Sequence, residues 1–172
     1  MTATLQKVDP FGLSYTKFIL EGMEAEWVFP KGAAPPKVLL FAKINDVLVN
    51  NPKANDTLIS FAVLNTGIPA LTISYHYRLK ECFPGALDNF KLGYEWLLKN
   101  GYAAEDIILA CDSPGGCLTI SLLSFLFENQ EPMPFGGIRL YPEESPRPLS
   151  YDYHGFRFME MNYLRNSIQQ PY

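Results

Sequence analysis

The stretch Ile107-Ile108-Leu109-Ala110-Cys111-Asp112-Ser113-Pro114-Gly115-Gly116 decides the fold. Ile107–Ala110 is a short apolar run, the pattern of a strand covered on both faces. Turn residues follow at once, and from Ser113 or its neighbours to about Phe127 the chain reads as a helix. The same hand-over from strand to helix recurs upstream. Val38–Ala42 is an apolar run bounded by turn signals, Asn45–Asn55 is a polar loop, and Asp56 is an N-cap for an apolar helix through Leu64 that Gly67 closes. Ala70–Tyr75 is a β-branched strand, and Leu87–Lys99 is amphipathic with Gly101 as its stop. Downstream, Gly137–Tyr141 is a further strand. Strands alternating with helices of about 10–15 residues predict right-handed crossovers, hence an α/β fold whose mostly parallel sheet is flanked by helices.

Outside this core the pattern weakens. Residues 1–25 read as an N-terminal element in which Ser14–Glu21 is expected to be helical, and Glu26–Pro30 is a strand before the turn Lys31–Pro36. Beyond the core of 26–141, Pro142, Pro146 and Pro148 mark an extended segment, and Phe156–Ile168 is expected as a final amphipathic helix within 142–172. One domain over 1–172 is the expectation, large enough to bury roughly 70% of the surface of its unfolded chain.

With 48% hydrophobic, 19% charged and 14% aromatic residues, the composition excludes global disorder. A formal charge of −4 with scattered Lys and Arg offers no footprint for nucleic acid. No run reaches the roughly 18 apolar residues of a membrane span. Lys7 and Asp9 interrupt any leader-like run, so a cytoplasmic protein is expected. Cys82, Cys111 and Cys117 cannot all pair within one chain and match no metal-ligand spacing. Free, buried thiols are expected, with no metal and no cofactor.

The serine-bearing turn gains weight from the segments before it. Tyr77-Arg78-Leu79, Phe83-Pro84-Gly85-Ala86-Leu87-Asp88, Tyr94-Glu95-Trp96-Leu97-Leu98 and then Cys111–Gly116 stand in that order. Together they resemble the hormone-sensitive-lipase-like branch of the α/β-hydrolase superfamily, whose members read YRLAPE, FPAAL, a Trp-containing helix and GDSAGG. Glu26–Pro30 and Val38–Phe41 are similar to that family's early strands, and the resemblance runs from about Gly22 to Tyr141. It implies a carboxylic ester hydrolase with a Ser, an Asp or Glu and a His as triad, and an oxyanion hole built from an HGGG loop and the amide after the serine. It also implies a nucleophile elbow at Ser113.

Only the serine survives the transfer, and each departure has a physical consequence. Where the HGGG loop should follow its strand, the chain has Lys43-Ile44-Asn45-Asp46, so side chains replace glycines that would let amides turn toward an oxyanion. After Ser113 comes Pro114, which has no backbone N–H, so the second oxyanion donor is absent by covalent structure. The first glycine of the elbow is Cys111. The family's acid and base lie on loops after two further strands, whereas 59 residues follow Ser113. A truncated hydrolase fold lacking the last strands is therefore expected. Of the two histidines, His76 falls where the family has the Asp before Tyr-Arg and reads as structural, and His154 lies in a segment matching no triad loop.

A pocket can outlive its triad, because open α/β sheets bind ligands outside the carboxyl ends of their strands. Lys43, Asp46 and Asp112 are candidate acid/base groups there with Ser113, and Asn45, Tyr77, Pro114 and Gly115 are candidate substrate contacts. Lys43 and Asp46 are also readable as a solvated loop, and Asp112 as a helix-capping carboxylate. The expected function is a scaffold repurposed to bind a lipophilic small molecule and promote isomerisation or cyclisation, by orientation and a few hydrogen bonds. A natural-product intermediate is one such molecule. The alternatives are a catalytically silent subunit, in a homodimer or a hetero-oligomer with a related hydrolase-like chain, and a weak carboxylic ester hydrolase using Ser113.

Overall fold

A computed structural model describes residues 4–32, 36–44, 52–75, 85–112, 116–140 and 158–160. Three antiparallel strands open the chain: β1 (Thr4–Val8), β2 (Ser14–Leu20) and β3 (Met23–Phe29). The β1–β2 turn is tied by Asp9, whose Oδ1 accepts from the amides of Phe11 at 3.0 Å and Leu13 at 2.8 Å, while the Tyr15 hydroxyl donates to Oδ2 at 2.8 Å. Ser14–Glu21 is thus not the expected helix. Phe18 and Leu20 point into the core while Lys17 and Ile19 stay exposed, a period of two rather than 3.6. Glu21 and Gly22, at φ 47° and 87°, form the two-residue connection with both central residues at positive φ that suits a tight hairpin.

The alternating core follows as β4 (Val38–Ile44), α1 (Pro52–Thr66), β5 (Ala70–Tyr75), α2 (Gly85–Lys99), β6 (Ile107–Asp112), α3 (Gly116–Glu128), β7 (Gly136–Leu140) and β8 (Phe158–Glu160). The strands form one eight-stranded sheet in the order β1-β2-β3-β5-β4-β6-β7-β8. Pairing is antiparallel from β1 to β5 and parallel from β5 to β8, so the α/β architecture is as the alternation predicts. Three boundaries differ. Helix α1 starts at Pro52 rather than at Asp56, because proline suits the first helical position, where no N–H is needed. Helix α3 starts at Gly116, past Ser113. Phe158–Glu160 is a strand rather than part of a helix, since Phe158, Met159 and Glu160 pair with Gly137, Ile138 and Arg139 along the edge of β7.

Helices cover both faces. On one face α2 and α3 pack on Val38, Leu40, Ala42, Leu71, Ile73, Ile107, Leu109 and Cys111. Two glycines allow the close approach: a Cβ on Gly93 would lie 3.1 Å from Ile73 Cδ1, and one on Gly137 only 2.6 Å from Thr119 Cγ2. On the other face α1 places Ile59 and Val63 on Val28, Leu39, Phe41 and Ala70. Val38–Ala42 is therefore buried throughout, as its unbroken apolar run predicts for a central parallel strand.

Candidate functional site

The carboxyl ends of β4, β5 and β6 meet at one edge, where Ala42 pairs with Cys111 and Lys43 with Ser74. This is the edge at which the sequence places its candidate site. Asp112 is the last residue of β6, paired with Leu140. Asn45, Asp46, His76, Tyr77, Ser113, Pro114, Gly115 and His154 lie outside the described residues. Cys111 packs wholly inside the main core among Leu109 and Leu122. A thiol thus fills the position where the elbow signature has glycine.

Lys43 is the one acid/base candidate whose side chain is described. Its ammonium is in an ion pair with Asp56, in the second turn of α1. It also lines a cleft of about 220 Å³ on the α1 face of the sheet. Strand alternation places most of the lining: Lys17 and Ile19 of β2, Glu24 and Glu26 of β3, Lys43 of β4, and Thr72 and Ser74 of β5 are alternate residues of four neighbouring strands, and the intervening Phe18 and Ala25 also border the cleft. Lys17 pairs with Glu26 and Glu26 with Thr72, so one register row crosses the floor. The Thr72 hydroxyl donates to the Glu26 carbonyl at 3.3 Å. Burial pushes the Glu26 carboxyl above its ordinary value, the nearby Lys17 and Lys43 pull it back, and Asp56 pushes it up again.

Sequence reasoning missed Lys17, Glu24, Glu26, Thr72 and Ser74. The usable signal was charge at alternate positions of the first hairpin, which disappears when Ser14–Glu21 is read as a helix. Among the described residues no group of three or more His, Cys, Asp or Glu is placed to hold a metal ion, and no helix is long and apolar enough to cross a membrane.

No family model matches the chain. It is 42% identical over 65 residues to Esterase LipU of Mycobacterium tuberculosis, a stretch covering 37% of this chain and 22% of that protein. It is 28% identical over 120 residues to an acetyl-hydrolase of Streptomyces hygroscopicus, covering 69% of this chain and 39% of the relative. Among solved structures, an esterase from the bacterial hormone-sensitive lipase family superposes with a TM-score of 0.69 at 26% identity, over 79% of this chain and 46% of the other. The matched region is thus less than half the length of these relatives. The order of strands and helices and these likenesses agree: the described fold is that of the α/β-hydrolase esterases, and the chain is similar over part of their length to esterases that include one of the bacterial hormone-sensitive lipase family.

Proposed function

We propose that this chain is a hydrolase-derived scaffold without a working Ser-His-Asp triad, which binds a lipophilic small molecule at the carboxyl ends of β4, β5 and β6 and promotes its isomerisation or cyclisation. The observation that carries the reading is Pro114 directly after Ser113. A proline supplies no amide to an oxyanion, and losing one such donor costs about 2.7–4 kcal/mol of transition-state stabilisation. Lys43 and Ile44 occupy the end of β4, where the family's glycine loop should begin, and remove the access that loop provides. Isomerisation or cyclisation needs no acyl-enzyme, only a bound conformer and a few placed groups. Asp112, Asp46 and Lys43 are the proposed acid/base groups, beside Ser113, and Asn45, Tyr77, Pro114 and Gly115 the proposed contacts. Cys82, Cys111 and Cys117 cannot all pair within one chain, which suits a reducing compartment, and the cytoplasm is the proposed location.

The test is to incubate the full chain with a panel of apolar polyenes and hydroxy-ketones and to compare conversion with buffer alone. Acceleration that falls in Asp112→Asn supports the reading; a panel converted no faster than in buffer overturns it.

A second reading, a silent subunit in a homodimer or beside a related hydrolase-like chain, is supported by one feature of the sheet and one of α1. Among the described residues β8 pairs with 137–139 of β7, and Phe61 and Leu64 stand exposed one helical turn apart on α1. Light scattering decides: a concentration-independent dimer supports this reading and a strict monomer without partners in pull-downs removes it.

A further inference from the structure

The cleft beside α1 is chemically unlike the edge proposed to hold an apolar ligand. On this face three neighbouring strands, β3, β5 and β4, carry apolar residues where α1 covers them, Val28, Leu39, Phe41 and Ala70. One or two pleats farther along the same strands the residues become Glu26, Glu24, Lys43, Thr72 and Ser74, and α1 reaches this polar stretch through Asp56, which pairs with Lys43. A merely solvated sheet face would leave such groups in water. Here Thr72 is buried and Glu26 is desolvated enough for its carboxyl to rise above its ordinary value. Groups drawn out of water in this way favour a ligand that returns their hydrogen bonds.

We infer that this cleft is a binding site for a small uncharged polyol, such as a single sugar ring or cyclitol, or the glycosyl end of a larger compound. Three features select that chemistry. Two lysines and two glutamates line the cleft and Asp56 of α1 already holds Lys43, so no surplus positive charge draws a phosphate, and the lysines beside the carboxylates disfavour a polyamine. Along the register row, Lys17 donates, Glu26 accepts and Thr72 offers hydroxyl lone pairs, and each hydroxyl of a polyol both donates and accepts. At about 220 Å³ the cleft is smaller than the roughly 300–1,000 Å³ pockets of drug-sized ligands, and suits one ring. Exposed Ile19 on the rim provides the apolar surface on which the C–H face of a ring packs. The site shares only Lys43 with the proposed strand-edge site, so it stands or falls independently of the proposed reaction.

The test is a titration of the isotope-labelled full chain followed by amide resonances, with D-glucose and myo-inositol as probes and inorganic phosphate, putrescine and cyclohexanol as contrasts. The inference expects saturable shifts at Glu26, Thr72 and Ser74 with D-glucose or myo-inositol and none with the contrasts. Lys17→Ala, at an exposed strand position, and Glu26→Gln should each weaken the saturable binding about tenfold, the effect of one charge-assisted hydrogen bond. The inference is overturned if neither polyol shifts these amides, if phosphate, putrescine or cyclohexanol saturates them instead, or if both variants, with dispersed spectra, bind a polyol as tightly as the parent chain.

Discussion

On the face covered by α2 and α3, β4, β5 and β6 bring apolar side chains to the helices, and the packing is close enough that a Cβ would be tight at Gly93 and would clash at Gly137. On the face covered by α1, β3, β4 and β5 are apolar under the helix and polar or charged beyond it. One face is committed to holding the sheet together. The other is divided between structure and an open, hydrogen-bonding surface. Function should therefore be separable from stability on the α1 face and inseparable from it on the α2/α3 face.

Substitutions that break this division sharpen it, and the largest effect is expected in the tight core. Phe90 is fully buried between α2 and the sheet, so Phe90→Ala should cost about 3–5 kcal/mol in urea unfolding. A loss under 1 kcal/mol would mean that this face is loosely packed. Gly137→Ala should cost about 1–3 kcal/mol, because the new methyl meets Thr119 Cγ2 at 2.6 Å and Leu123 Cδ1 at 3.0 Å. Thr119→Ser removes the first of those contacts, so adding it should recover part of the loss; no recovery would place the strain elsewhere. Tyr94 is buried and its hydroxyl donates to the Pro132 carbonyl at 2.6 Å. Tyr94→Phe should cost about 1 kcal/mol, read as a lower melting temperature.

On the α1 face the effects should be small and dependent on solution conditions. Glu26 holds its proton more tightly folded than unfolded, so ionising it costs stability as pH rises from the ordinary carboxylate range through its raised value. Glu26→Gln should remove that cost, so the variant gains on the parent chain as pH rises across this window. A variant that instead loses ground at neutral pH would show that the carboxylate is a favourable structural partner. The Lys43–Asp56 pair joins a half-buried ammonium to an exposed carboxylate, and Lys43→Met should change stability by less than about 1 kcal/mol, diminishing with salt.

The division also explains what the sequence reveals. Parallel strands buried on both faces are continuous apolar runs, so Val38–Ala42, Ala70–Tyr75 and Ile107–Ala110 are legible without tertiary information. Ser14–Leu20 is not, because its inward residues Phe18 and Leu20 are separated by exposed Ile19, and an apolar cluster of that kind also suits a helix. What settles it is the turn at Glu21-Gly22 and the partner strand β3. The three residues of β8 are set by pairing with β7, a long-range contact that local periodicity does not encode. At the site, Lys43 is legible because the strand before it is. Glu26 and Thr72 become neighbours only when β3 and β5, far apart in the chain, pair antiparallel.

The central proposal is that the hydrolase framework serves something other than ester hydrolysis through Ser113. Its most direct test is the turnover of a short-chain p-nitrophenyl ester by the full chain and by Ser113→Ala, each with fluorophosphonate labelling of position 113. The account predicts that the two proteins hydrolyse the ester equally slowly and that Ser113 takes no label. Serine-dependent turnover with a labelled Ser113 would contradict it.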